Sequence, residues 1–135
     1  MGGQLTNKTD EVLLIYGTKT ELSPPEFDNG GKFIKKGKST ISVFGSNWDC
    51  DGFYVPADRK LKQLVGEVIE GPVAVKFPNG VHVTVTQSGA VYEVNRPNVG
   101  VFKPSEFCRP SNYPTCVNWW IPNLIYSEIW EDAND

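Results

Sequence analysis

Apolar side chains recur at every second position in short runs along much of this chain, the period of a strand with one face buried. The first run, residues 11–16 (Glu-Val-Leu-Leu-Ile-Tyr), is too short for a stable helix and is closed by Gly17, so it predicts a buried core strand. Residues 18–31 contain Pro24, Pro25, Asn29, Gly30 and Gly31 and predict a loop. Gly37 then separates two alternating segments, 32–35 and 39–44, in which Phe33, Ile41 and Val43 are the expected inward positions.

The most informative stretch spans residues 72–94. A three-residue loop at Pro78-Asn79-Gly80 would set Phe77 opposite Val81, Val75 opposite Val83 and Val73 opposite Val85, so that every pair is apolar. A two-residue turn at Ser88-Gly89 would continue the meander, with Val85 opposite Tyr92, Val83 opposite Val94 and Thr84 opposite Glu93. Both turns place the valines on one shared face.

Only residues 58–69 offer a helical period, with Leu61, Leu64, Val65 and Val68 at i, i+3, i+4 and i+7. Gly66 and Gly71 would keep such a helix short, and the same residues also fit an edge strand. Residues 124–130, rich in aromatic and β-branched side chains, predict a last strand. The chain is therefore expected to be mostly β, a single domain over residues 1–135 built as an antiparallel β-sandwich or meander with at most one short helix near residues 58–69.

With 135 residues, 39% hydrophobic and 21% charged, the chain suffices for one buried core. A net charge of -3 argues against a general nucleic-acid binder. Its one basic run, Lys32, Lys35, Lys36 and Lys38, reads as a solvated edge or, alternatively, as a contact surface for anions. No apolar stretch reaches the length of a membrane span and no signal peptide is evident, which suggests a cytoplasmic or non-classically secreted protein. Gly2 followed by Thr6 fits the permissive myristoylation pattern, and Asn7-Lys8-Thr9 fits a glycosylation acceptor. Cys50, Cys108 and Cys116 are odd in number, and the last two are spaced closely enough to pair in an oxidising compartment.

Asn47, Asp49, Asp51, Phe53 through its carbonyl, and Asp58 stand at positions 1, 3, 5, 7 and 12 of a twelve-residue segment with Gly52 at position 6. That spacing resembles the calcium loops of EF-hand and dockerin type and implies a possible Ca²⁺ site. Asn at the first position, Asp at the twelfth and Pro56 near the exit depart from the pattern, and an Asx-rich β-turn uses the same residues. His82, the sole imidazole, falls on the polar side of its strand near Thr84 and Glu93, without a nucleophile motif. The chain is not expected to be an enzyme.

Aromatic residues supply the remaining candidates. Trp48 and Tyr54 lie in or beside the acidic loop, and Trp119 and Trp120, adjacent in sequence, point to opposite faces if extended. Together with His82 they suggest a non-enzymatic module that recognises a carbohydrate or a lipid headgroup through exposed aromatics and the acidic loop. The alternative is a protein-interaction module, an inhibitor or immunity-type partner, using the proline-rich loop at 105–115.

Overall fold

The computed structural model describes residues 3–20, 28–45, 50–78, 80–97, 99–103 and 124–130. Among these residues ten strands form two five-stranded sheets. The first sheet has the order β1 (Gln4–Lys8), β8 (His82–Ser88), β9 (Val91–Val94), β5 (Lys60–Lys62) and β6 (Val68–Glu70). The second has the order β10 (Gly100–Phe102), β7 (Val73–Lys76), β4 (Cys50–Val55), β2 (Leu13–Thr20) and β3 (Asp28–Ile34). The mostly β architecture expected from the sequence is present as a two-layer sandwich. Its second sheet is antiparallel throughout, whereas β1 beside β8 and β5 beside β9 run parallel in the first.

Leu5, Leu61, Val83, Val85, Tyr92 and Val94 of the first sheet meet Ile15, Ile34, Phe53, Val55, Val73 and Val75 of the second in one buried core. The valines of 72–94 thus do line one interior, but the pairing differs from the expected hairpin. β7 hydrogen-bonds to β4 and β10, and β8 belongs to the other sheet, so Val73 and Val75 meet Val83 and Val85 in the core between the two sheets. A period of two fixes which side of a strand is buried, and it is equally satisfied by partners beside the strand or opposite it. The β8–β9 hairpin does form, with its turn at Gly89-Ala90 and Val85 opposite Val94. That register lies two residues from the expected one, a shift that keeps every side chain on its face.

The middle of the second sheet is buried on both sides. Tyr16, Tyr54 and Ala74 alternate with core residues on β2, β4 and β7 and are roofed by Tyr126 of α2 (Tyr126–Ile129) and the following Trp130. The run 124–130 therefore ends in a helical turn rather than a strand, its rings serving as a lid. Tyr16 reaches over Gly52 of β4 and donates its hydroxyl to the Val75 carbonyl on β7. A Cβ at Gly52 would collide with both.

The structure differs from the expectations at several further places. Of the two readings of residues 58–69 the structure has the strand rather than the helix: β5 and β6 pair as a hairpin with β6 at the sheet edge, Gly66 adopts φ +115°, and of the four periodic residues Leu61 turns inward while Leu64, Val65 and Val68 stay exposed. Residues 40–44 form the single-turn helix α1 (Thr40–Phe44), capped by Ser39 against Ser42 and ended at Gly45, so Ile41 and Val43 point outward. Phe33 is exposed as well. The part of β3 from Asp28 to Gly31 appears where a loop was expected, and β1 occupies residues for which the alternation predicted no element.

Gly52→Ala is expected to destabilise the fold by about 2–4 kcal/mol, because backbone rather than a flexible side-chain end blocks the added methyl. Tyr16→Phe should cost about 1 kcal/mol by leaving a buried carbonyl one donor short. Urea unfolding measures both, and a Gly52→Ala midpoint equal to wild type contradicts the account.

Candidate functional site

The two outer surfaces of the sandwich are unlike. α2 roofs the second sheet, whereas the outward side chains of the first remain partly or fully exposed: Thr6 and Lys8 on β1, His82, Thr84 and Thr86 on β8, Glu93 on β9, Lys60 and Lys62 on β5. Toward the β5–β6 turn this face hollows into a cleft of about 260 Å³ lined by Lys62, Gln63, Leu64, Thr84, Thr86, Glu93, Val94 and Asn95.

Two amides on its wall are fixed by the backbone. β9 ends at Val94, and the Asn95 side chain takes over the next rung of the ladder, accepting from the Thr84 amide at 2.9 Å. Gln63 accepts from the Val99 amide at 3.0 Å. Each side-chain oxygen is committed to a backbone N–H, which assigns the NH₂ ends as outward donors. Neither NH₂ group, nor the side chains of Thr84, Thr86 and Glu93, hydrogen-bonds to a described residue. The wall thus offers donors, acceptors, one cation and one carboxylate, with the 60%-exposed Leu64 as an apolar rim.

A second polar cluster is internally satisfied. One Glu11 oxygen accepts from Arg59 at 3.0 Å, Gln87 at 2.9 Å and Tyr92 at 2.9 Å, and the other accepts from Arg59 at 2.6 Å. Arg59 also lies over the Tyr126 ring at 4.7 Å, and Asp58 accepts from the Tyr126 amide at 2.8 Å. These contacts tie the β1–β2 turn, the first sheet and the α2 lid together, so the cluster is a structural clasp. Burial acts to raise the Glu11 carboxyl, but the Arg59 and Tyr92 hydrogen bonds, the Arg59 charge and Gln87 outweigh it and hold the group below its ordinary 4.5.

The sequence-predicted residues are scattered. Trp48, Trp119, Trp120, Asn47 and Asp49 lie outside the described residues, as do Cys108, Cys116 and the proline-rich loop at 105–115. Tyr54 is only 5% exposed, packed against Tyr16 at 4.9 Å between ring centres under the lid, and so cannot stack on a ligand. His82 is exposed on the open face, its Nε2 sharing a hydrogen bond of 2.8 Å with Thr6 Oγ1. In the calcium-like segment, Phe53 sits mid-strand between Ile15 and Val75, and the Asp51 carbonyl accepts from the Phe77 amide. Residues 50–55 are extended, so Asp51 stands about 13 Å along the strand from Val55, and Asp58 is engaged with Tyr126 and Arg59 beyond it. A wrapped calcium loop needs these positions around one point. Among the described residues no three His, Cys, Asp or Glu side chains gather as a metal-ligand set.

Asn7 is fully buried, its amide donating to the Glu11 and Ile34 carbonyls and accepting from Thr9. It therefore cannot carry a glycan in the folded protein. Cleft residues Gln63 and Asn95 escaped the sequence reading, whereas the alternation of His82, Thr84 and Thr86 was the available signal for this face.

Glu11→Gln should destabilise the protein at pH 7 by about 1–3 kcal/mol through loss of charge-assisted hydrogen bonds. Since the folded carboxyl titrates below 4.5, its contribution is complete above that value and fades as pH falls through the folded pKa. Urea midpoints of variant and wild type should accordingly converge between pH 7 and pH 3, and a constant gap refutes the clasp. Comparison of the chain with protein-family models, curated proteins and solved structures finds no match.

Proposed function

We propose that this protein is a non-enzymatic binding module and that the cleft on the open face of the first sheet takes a neutral polyhydroxylated ligand, a saccharide. The observation that carries this reading is the pair of amides, Gln63 and Asn95, whose oxygens are fixed by backbone N–H groups so that their NH₂ ends stand ready beside the Thr84 and Thr86 hydroxyls. Sugar hydroxyls both donate and accept, and they are matched by amide donors, amphoteric hydroxyls and a carboxylate acceptor at fixed positions. Leu64 supplies an apolar edge against which the C–H face of a pyranose rests. The cleft is shallow and lies just below the common range for drug-sized ligands, which suits one or two sugar units.

Support for binding over catalysis comes from the surroundings of His82. It lies on a strand of an exposed face, and it shares a hydrogen bond with the Thr6 hydroxyl on the neighbouring strand rather than with a carboxylate or thiol. General acid–base chemistry needs such a group oriented toward a reacting atom in a cleft.

A glycan array followed by NMR titration of the labelled protein tests the proposal. Saturable binding should shift the backbone amides of Thr84, Thr86, Glu93 and Asn95. Glu93→Ala should weaken it about 5–10-fold, the equivalent of one hydrogen bond, and Thr86→Lys should weaken it further by filling the cleft. Removal of calcium with EDTA should leave the affinity unchanged, since the described calcium-like positions are remote in the fold from this wall. Absence of binding to every glycan, or shifts confined to other surfaces, overturns the reading.

A further inference from the structure

We infer that the segment joining β3 to α1 is a docking surface for an anionic lipid bilayer. Residues 30–48 hold four of the chain's 13 Lys and Arg residues and none of its 16 Asp and Glu residues. In a protein of net charge -3 this is a strong local reversal of sign. Lys32, Lys35, Lys36 and Lys38 are all exposed, and Lys8 on β1 adds a fifth exposed cation beside them. The same segment presents Ile41 and Val43, each 48% exposed, on α1.

These groups are held in place. The buried Asn7 accepts from the Gly37 amide at 2.7 Å through its carbonyl, donates its own amide to the Lys38 carbonyl at 2.9 Å, and donates its side-chain NH₂ to the Ile34 carbonyl at 2.9 Å. Thr40, buried at the start of α1, accepts from the Leu5 amide at 3.0 Å. The Lys32 ammonium lies 5.1 Å from the centre of the Phe44 ring, which itself packs against the core. A turn pinned to β1 by four hydrogen bonds thus displays lysines and two aliphatic side chains without needing to be ordered on contact.

Clustered lysines gain energy at the negative surface of a bilayer, and adjacent aliphatic side chains enter the headgroup boundary. The combination favours a bilayer over a nucleic acid, whose phosphates would meet the lysines but offer nothing to Ile41 and Val43. This surface is distinct from the cleft, and its test is independent of saccharide binding.

Flotation of the full chain with phosphatidylcholine vesicles, with and without phosphatidylserine at about one lipid in three, provides the test. The expected result is binding to the anionic vesicles alone, falling steeply as salt rises from 0.1 to 0.5 M, as screening requires. The triple variant Lys35→Glu, Lys36→Glu, Lys38→Glu should bind at least about 30-fold more weakly. The double variant Ile41→Ser, Val43→Ser should bind several-fold more weakly at unchanged charge, which separates insertion from pure attraction. All substituted positions are exposed, and urea midpoints matching wild type verify that both variants fold. Equal binding to neutral vesicles, absence of binding to anionic ones, or retention of binding by the Ile41 and Val43 variant overturns the inference. So does stronger capture by polyglutamate or single-stranded DNA than by the vesicles.

Discussion

Burial of the second sheet on both faces is the constraint on which the remaining architecture depends. β2, β4 and β7 send Ile15, Phe53, Val55, Val73 and Val75 into the interlayer core and Tyr16, Tyr54 and Ala74 into the opposite face. That second face needs a cover, and α2 with Trp130 supplies it. Two hydroxylated rings stacked on a sheet also require room, which Gly52 provides by letting Tyr16 cross β4 to reach Val75. The Glu11–Arg59 clasp then holds the lid through the Arg59 contact with Tyr126 and through Asp58. Among the described residues one sheet is thereby committed to structure on both faces, while the outward side chains of the other stay partly or fully exposed.

The sequence disclosed faces better than partners. Alternation identified the inward valines of 72–94 and the polar side of His82, Thr84 and Glu93, and the structure keeps each on its expected side. What alternation lacks is information on whether an apolar neighbour lies beside a strand or across a core, so the crossover from β7 to β8 read as a hairpin. Segments 40–44 and 58–69 show the converse failure. Apolar periodicity pointed to a strand in the first and a helix in the second, and local chemistry decided otherwise: the Ser39–Ser42 cap with Gly45 closes one helical turn, and Gly66 at positive φ makes a hairpin. Within the calcium-like spacing, Phe53-Tyr54-Val55 is an apolar run buried on both faces, and pairing with two neighbours makes this part of the segment extended rather than a loop.

Three side-chain amides, those of Asn7, Gln63 and Asn95, complete backbone hydrogen bonds at the ends of strands. Asn7 leaves β1 with only Leu5 as an inward apolar residue, so the strand carries no apolar alternation, yet the Asn7 side chain makes four hydrogen bonds that define the turns around it. Asn95 continues the β8–β9 ladder past the end of its strand with a side-chain oxygen in place of a backbone one. Gln63 does the same for the segment entering β10. Such residues are invisible to hydropathy because their contribution is to complete hydrogen bonds rather than to bury carbon. They are also the reason the cleft is preorganised, since an amide whose oxygen is fixed must present its nitrogen in a fixed direction.

β1 links the polar cleft face and the lysine-bearing turn. Its inward Asn7 pins the lysine-bearing turn, while its outward Thr6 and Lys8 extend the polar face of β8 by direct pairing with Thr84 and Thr86. Lys8 therefore belongs to both, standing beside the basic segment and two strands, about 10 Å, from Glu93 at the cleft wall. A sheet edge that borders a charged turn on one side and a hydroxyl-lined face on the other couples them rigidly, because strands within one sheet do not reorient independently. Any surface that engages the turn consequently fixes the direction in which the cleft opens, and the short, polar β1 is the element that transmits that orientation.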